Sequence, residues 1–180
     1  MAGKPKTAAR RRRTAPTAHV DARGRARMVD VSDKRVTLRR AVAAGEVHMN
    51  ASAWKALTSG ALAKGDALAV ARLAGIQAAK RTAELIPLCH PLPLDAIQVD
   101  VELASRGLVK IRAEARIRAR TGVEMEALTA VSVAALAVYD MCKSLDRAMT
   151  IGAIRLLEKS GGRSGTYARD AARTGRTKRT

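Results

Sequence analysis

The feature that most restricts this chain is a pair of alternating segments a few residues apart. Ile97, Val99, Val101 and Leu103 are separated by polar residues, and Val109, Ile111, Ala113, Ala115 and Ile117 repeat the pattern after Ser105-Arg106-Gly107. A period of two puts every apolar side chain on one face of a strand, and the Gly-containing break is turn chemistry. The two runs therefore form a β-hairpin with one buried face. Lys110, Arg112, Arg116 and Arg118 fall on the opposite face, which is either a solvated surface or a place to receive an anion. A hairpin is marginal alone, so other elements must cover its apolar side.

The flanking segments supply them, and no internal repeat is visible. Residues 19–32 read as an extended lead-in. Residues 35–49 carry Val36, Leu38, Val47 and Met49 at strand spacing, although residues 41–45 in the middle are ambiguous. Asn50 caps a short helix through Ser59 that Gly60 helps to end. After the Lys64-Gly65-Asp66 loop, Asp66 caps a helix to about Leu85, with an apolar stripe of Ala69, Leu73, Ile76, Ala79 and Ala83, and Pro87 stops it. Thr121 and Glu124 have capping-box spacing before a long helix from Val123 to about Arg147, and residues 149–157 form a last strand ahead of a flexible, Gly-rich segment at 160–165. The order is β-α-β-β-α-β, an α+β ferredoxin-like fold whose antiparallel sheet carries helices on one face. The open face of such a sheet calls for a partner, so an oligomer is expected.

Composition sets the limits. The only aromatics are Trp54, Tyr139 and Tyr167, so the core is built from Ala, Val, Leu and Ile, and base-stacking surfaces are hard to make. No apolar run reaches the roughly 18 residues of a membrane span, and the start lacks a secretory-type apolar stretch, so a cytoplasmic protein without membrane contact is expected. Cys89 and Cys142 show no zinc or iron–sulfur spacing and read as reduced thiols, so no metal site is expected. Much of the net charge of +18 sits in two tails, residues 1–18 and 168–180, which read as disordered and flank a single domain at 19–167. A nucleic-acid-binding ferredoxin-like protein with basic tails is the alternative that this charge suggests, and it predicts strongly salt-dependent binding to any polyanion. A non-catalytic ligand sensor on the same fold is a second alternative. It gives no reason for the polar residues described next.

His90 lies between Pro87 and Pro91, which hold an extended loop able to present an imidazole; the plain alternative is a structural histidine. Cys89 beside it reads as an inert thiol. Lys64 precedes a helix-capping Asp, which would put its ammonium near a helix N-terminus, where anions are favoured, although spacing alone favours an exposed loop lysine. Asp140 and Lys143 are three apart on a helix, hence able to pair; such pairs are commonly surface decoration, but the apolar surroundings allow a lysine tuned for proton transfer. Glu124 has a capping role, whereas Glu126 has none. The 14 residues between Glu126 and Asp140 span about 21 Å of helix, too far for one compact site in one subunit. Either the ligand is long, or a site is assembled from the helix start of one chain and the helix end of another.

These residues lie in longer motifs: Met28-Val29-Asp30-Val31-Ser32, Lys64-Gly65-Asp66, Ala71-Arg72-Leu73-Ala74-Gly75-Ile76-Gln77-Ala78-Ala79-Lys80-Arg81-Thr82, Leu85-Ile86-Pro87-Leu88-Cys89-His90-Pro91-Leu92, Gly122-Val123-Glu124-Met125-Glu126-Ala127-Leu128-Thr129, Tyr139-Asp140-Met141-Cys142-Lys143 and Lys159-Ser160-Gly161-Gly162. Together, over residues 19–167, they resemble the cyclic pyranopterin monophosphate synthase family, the second enzyme of molybdenum cofactor biosynthesis. The resemblance implies a homohexamer, a trimer of dimers with active sites at the dimer interface. The implied substrate is the GTP-derived 3′,8-cyclo-7,8-dihydroguanosine 5′-triphosphate, rearranged to cyclic pyranopterin monophosphate with release of diphosphate. By the same resemblance Asp140 is the active-site acid and Lys64 and Lys143 are essential lysines. Leu88, Cys89 and His90 form one substrate-binding stretch and Met125 and Glu126 another, with Glu124 and Arg39 at further functional positions. No departure occurs at these positions. Moving protons around the base suits Asp140 and the lysines, neutralising a triphosphate suits Lys64, Arg39 and His90, and a rearrangement of this kind calls for no redox cofactor.

Overall fold

The computed structural model describes residues 20, 21 and 23–170; the N-terminal tail and residues 171–180 lie outside them. Strand β1 (Thr37–His48) is central, pairing antiparallel with β3 (Leu108–Ala119) on one side and with β4 (Thr150–Ser160) on the other. β2 (Ala96–Ser105) completes the hairpin with β3, and a two-residue β5 (Tyr167–Ala168) adds to β4, giving the order β2-β3-β1-β4-β5. The hairpin register sets Val99 opposite Ala113, Val101 opposite Ile111 and Leu103 opposite Val109, so the alternating apolar residues meet across the strands as the sequence requires. The ambiguous middle of β1 is strand throughout. Ala41, Val42 and Ala43 are fully buried, small because a helix packs on one side and long charged side chains cover the other.

Among the described residues the helices follow the pattern with instructive differences. Asn50 caps α1 (Ala51–Thr58), its side chain accepting from the Ala53 N–H at 2.9 Å, and Asp66 caps α2 (Ala67–Lys80) by accepting from Leu68 and Ala69 at 3.0 Å each. α2 stops at Lys80 rather than continuing to Leu85. Buried Thr82 donates its hydroxyl to the Ala79 carbonyl, the backbone breaks at Arg81, and one separate turn, α3 (Thr82–Leu85), resumes. The buried stripe of α2 is Ala67, Ala71, Gly75, Ala78 and Ala79; of the expected stripe Ala79 is buried and Ile76 packs against the core, but Leu73 is 63% exposed. Closeness decided the face. A Cβ on Gly75 would stand 2.9 Å from the Ala130 carbonyl oxygen, so α2 presents its smallest residues to the neighbouring helix.

That neighbour is α4 (Glu124–Cys142), whose Ala127, Ala130, Val131, Ala134, Ala135 and Val138 are fully buried against the sheet and α2. By length and composition α4 is apolar enough to cross a membrane, contrary to expectation, but this apolar surface is packed inside the fold. The capping box is absent: Val123 is the N-cap, without a side-chain bond, and Glu124 instead lies 3.8 Å from Lys159. Nor does the helix reach Arg147, because Lys143 is the C-cap and the chain turns back from there. The result is α+β and ferredoxin-like, with the helices on one side of an antiparallel sheet. On the other side Arg40 bridges Glu114 and Glu158 at 2.7 Å each, and Arg112 and Arg116 lie 3.8 Å from Glu114, a solvated charge lattice. β4 bulges opposite Gly45, where Ala153 takes a φ of 50°.

Candidate active site

The two ends of α4 hold two different groups of side chains. At the C-terminal end the last carbonyls lack helical partners and the helix dipole is negative, so cations are favoured there. Lys64 arrives from the loop between α1 and α2. Buried Leu62 anchors that loop, a turn from the Gly65 N–H to the Leu62 carbonyl (3.0 Å) tightens it, and the Asp66 cap closes it. The Lys64 ammonium donates to the Asp140 carbonyl oxygen and to Asp140 Oδ2, both at 2.8 Å. It therefore sits at a helix C-terminus and not at the N-terminus of α2, where its own positive charge would be repelled. Lys143 Nζ lies 2.6 Å from Asp140 Oδ1. With Lys143 and then Lys64 bonded to it, the Asp140 carboxyl is held down at about 2. All three side chains are about half exposed, so a ligand can reach them.

The N-terminal end of α4 is apolar and acidic. Glu126 is 3% exposed; burial pushes its carboxyl up to about 7, its own backbone N–H works against the rise, and Glu124 adds to it. Glu126 lines a cavity of about 360 Å³ together with Lys80, Arg81, Thr82 and Pro91. Met125 beside it is half-buried, as are Leu88, Cys89 and His90 of the preceding loop. Burial, and then Glu126, raise the Cys89 thiol, which disfavours the thiolate. His90 Nε2 is 2.9 Å from the Val29 carbonyl oxygen, which can only accept; Nε2 therefore carries the proton and the lead-in segment is tied to the loop.

Next to this end lies a larger pocket, about 650 Å³, which includes Arg39 and Glu124. Arg39 donates to the Ala119 carbonyl (3.3 Å) and the Arg120 carbonyl (3.2 Å), fixing its guanidinium against the turn at Gly161 and Gly162. Gly162 has a φ of 73°, and a Cβ there would occupy the space of the Arg39 guanidinium. Lys34, Arg35, Arg40, Arg120, Lys159 and Arg163 complete a wall whose lining acids are Asp33 and Glu124, with Arg40 already paired to Glu114 and Glu158. Such a concentration of fixed cations suits a polyphosphate. Sequence reasoning assigned no role to these residues apart from Arg39 and Glu124, because four separate segments contribute them and each alone looks like surface charge.

Lys64, Asp140 and Lys143 thus meet, Glu126 meets Cys89, and Arg39 and Glu124 share a pocket, but α4 holds the first group about 21 Å from the others within one chain. Among the described residues no group of three or more His, Cys, Asp or Glu is arranged to hold a metal ion.

The sequence profile of the MoaC family matches residues 28–162, well over half of the chain. The chain belongs to the MoaC family. The match takes in every candidate residue at both ends of α4. Curated relatives agree. The chain is 62% identical over 154 residues to cyclic pyranopterin monophosphate synthase 1 of Mycobacterium tuberculosis (strain ATCC 25618 / H37Rv), covering 86% of this chain and 91% of that protein. It is 63% identical over 148 residues to cyclic pyranopterin monophosphate synthase of Roseiflexus castenholzii (strain DSM 13941 / HLO8), covering 82% and 94%. With cyclic pyranopterin monophosphate synthase 3 of Mycobacterium bovis (strain ATCC BAA-935 / AF2122/97) the identity is 61% over 154 residues, covering 86% and 87%.

Proposed function

We propose that this MoaC-family chain is a cyclic pyranopterin monophosphate synthase, a lyase that rearranges 3′,8-cyclo-7,8-dihydroguanosine 5′-triphosphate and releases diphosphate in molybdenum cofactor biosynthesis. The observation that carries the mechanism is the contact of one carboxylate with two ammonium groups, Lys64 and Lys143 on Asp140. Ring opening and reclosure require protons to be delivered and removed at the base, and two lysines linked by a carboxylate can exchange them between donor and acceptor. Closing the cyclic phosphate joins a sugar oxygen to the α-phosphorus and breaks its bond to the diphosphate, whose departing charge must be stabilised. Arg39 and the cationic wall around it serve that purpose, while Leu88, Cys89, His90, Met125 and Glu126 hold the remainder of the substrate.

Because one chain separates the proton-transfer group from this binding wall, the site is completed by a second copy. A dimer pairs one chain's α4 C-terminus with the other's N-terminus, and three dimers form the homohexamer. Cytoplasmic action fits a nucleotide substrate. The nucleic-acid alternative draws on basic tails outside the described residues, and the comparisons favour the enzyme. Purified protein incubated with the cyclised guanosine triphosphate should yield diphosphate and the pterin product. Absence of turnover in an intact oligomer overturns this reading.

A further inference from the structure

The three side chains of the proton-transfer group are each about half exposed. Exposed ion pairs do little to fix geometry, because solvent screens them and long side chains retain their freedom. Their alignment must therefore come from the backbone beneath. Granting that Lys64, Asp140 and Lys143 move protons, we propose that Asp146 is a positioning residue that clamps the end of α4 to the start of α1 and so keeps Lys143 and the Lys64 loop aligned on Asp140.

Beyond Cys142 the chain folds back on its own helix. The Lys143 N–H donates to the Tyr139 carbonyl (2.9 Å), and those of Leu145 and Asp146 to the Cys142 carbonyl (2.9 and 3.2 Å). The Tyr139 hydroxyl donates to the Arg147 carbonyl at 3.1 Å. Asp146, 7% exposed, sits in the middle of this return. Its Oδ1 accepts from the Ala148 N–H at 2.9 Å and its Oδ2 from the Asn50 N–H at 2.7 Å. Asn50 reciprocates, donating from Nδ2 to the Leu145 carbonyl at 3.3 Å while its Oδ1 caps α1. From this corner α1 runs to the Lys64 loop through buried Leu57 and Leu62. A carboxylate is costly to bury and persists where charge-assisted bonds satisfy both oxygens, and such bonds are stiffer than a solvated ion pair. One buried group thus joins the two segments that deliver the two lysines.

The test measures kcat and KM per folded, assembled protein for Asp146→Ala, Asp146→Asn and Asn50→Ser, with Asp140→Asn alongside. Asp146→Ala should lower kcat about tenfold or more with KM within about twofold, since misplaced catalytic groups lose rate and the clamp does not touch substrate. Asp146→Asn should fall between, because its amide sets a donor against a backbone donor. Asn50→Ser keeps the helix cap and removes the Leu145 bridge, and should cost roughly threefold in kcat. Lower melting temperatures with unchanged kcat would make Asp146 purely structural and overturn the proposal. If Asp146→Ala fails to assemble, the kcat of Asn50→Ser decides. Full turnover in Asp140→Asn would instead remove the proton-transfer reading on which the clamp rests.

Discussion

Lys64 and Asp140, 76 residues apart in sequence, are joined twice: one ammonium donates at 2.8 Å both to the carboxylate and to the main-chain carbonyl of the same residue. The carbonyl bond anchors Lys64 to the helix end independently of the carboxylate. Chemistry and attachment can therefore be separated by mutation.

Asp140→Asn should lower turnover at least about 100-fold, the scale of a lost acid–base group, with a melting temperature near that of the wild type. In the wild type the Asp140 carboxyl should titrate near 2 by NMR. Its folded value is depressed, so the ion pairs are intact above the ordinary 3.8 and are lost as the pH falls through about 2. A midpoint near 4 would mean that the lysines do not hold it in solution.

Glu126 runs the other way. Its folded carboxyl is raised from 4.5 to about 7, so between those values the folded chain holds a proton that the unfolded chain has released. Stability should fall as the pH rises through that window, by on the order of 3 kcal/mol in total. Denaturant titrations from pH 4 to 8 should show this slope, and Glu126→Gln should flatten it.

Gly162→Ala should displace the Arg39 guanidinium and strain a left-handed position. Losing a hydrogen bond to a charged group is worth about 1.5–3 kcal/mol, so KM for the triphosphate should rise about tenfold or more. Arg39→Ala should match it. A normal KM in both would dissociate this pocket from substrate.

Mixing subunits tests the shared site. Lys64→Ala and Glu126→Gln chains, each impaired alone, should recover roughly a quarter of wild-type turnover when unfolded and refolded together, because half of the sites in mixed dimers contain both native residues. No recovery despite subunit exchange would place each complete site within one chain.

Ala153→Gly should stabilise the protein by roughly 0.5 kcal/mol, since relief of a left-handed φ of 50° outweighs the entropy that a glycine adds to the unfolded chain. A shift of the urea midpoint measures it.

The hairpin was legible in the sequence because its period and turn are local. The face of α2 was not: Leu73 is the more hydrophobic choice, yet Gly75 and the alanines determine how near α4 can come, and that distance is a tertiary quantity. The ambiguous middle of β1 has the same origin, small residues under a close helix. For the site, the spacing of Asp140 and Lys143 on one helix was readable directly. Lys64 was named through family resemblance, and local reasoning sent its ammonium to the wrong helix end, because the attracting carbonyl and carboxylate come from a distant segment. The cationic wall stayed hidden for the same reason, with Lys34, Arg120 and Lys159 converging only once the sheet is folded.

The central place of β1 also bears on how the chain is made. Among the described residues it is the first strand in chain order, yet its partners are β3, beginning at Leu108, and β4, beginning at Thr150. Until β3 has been synthesised this apolar strand has both edges unpaired, and until β4 follows it has one, the state most open to sticking to another nascent chain. The sheet therefore cannot close before β4 is made, and chaperone demand should peak before that strand emerges.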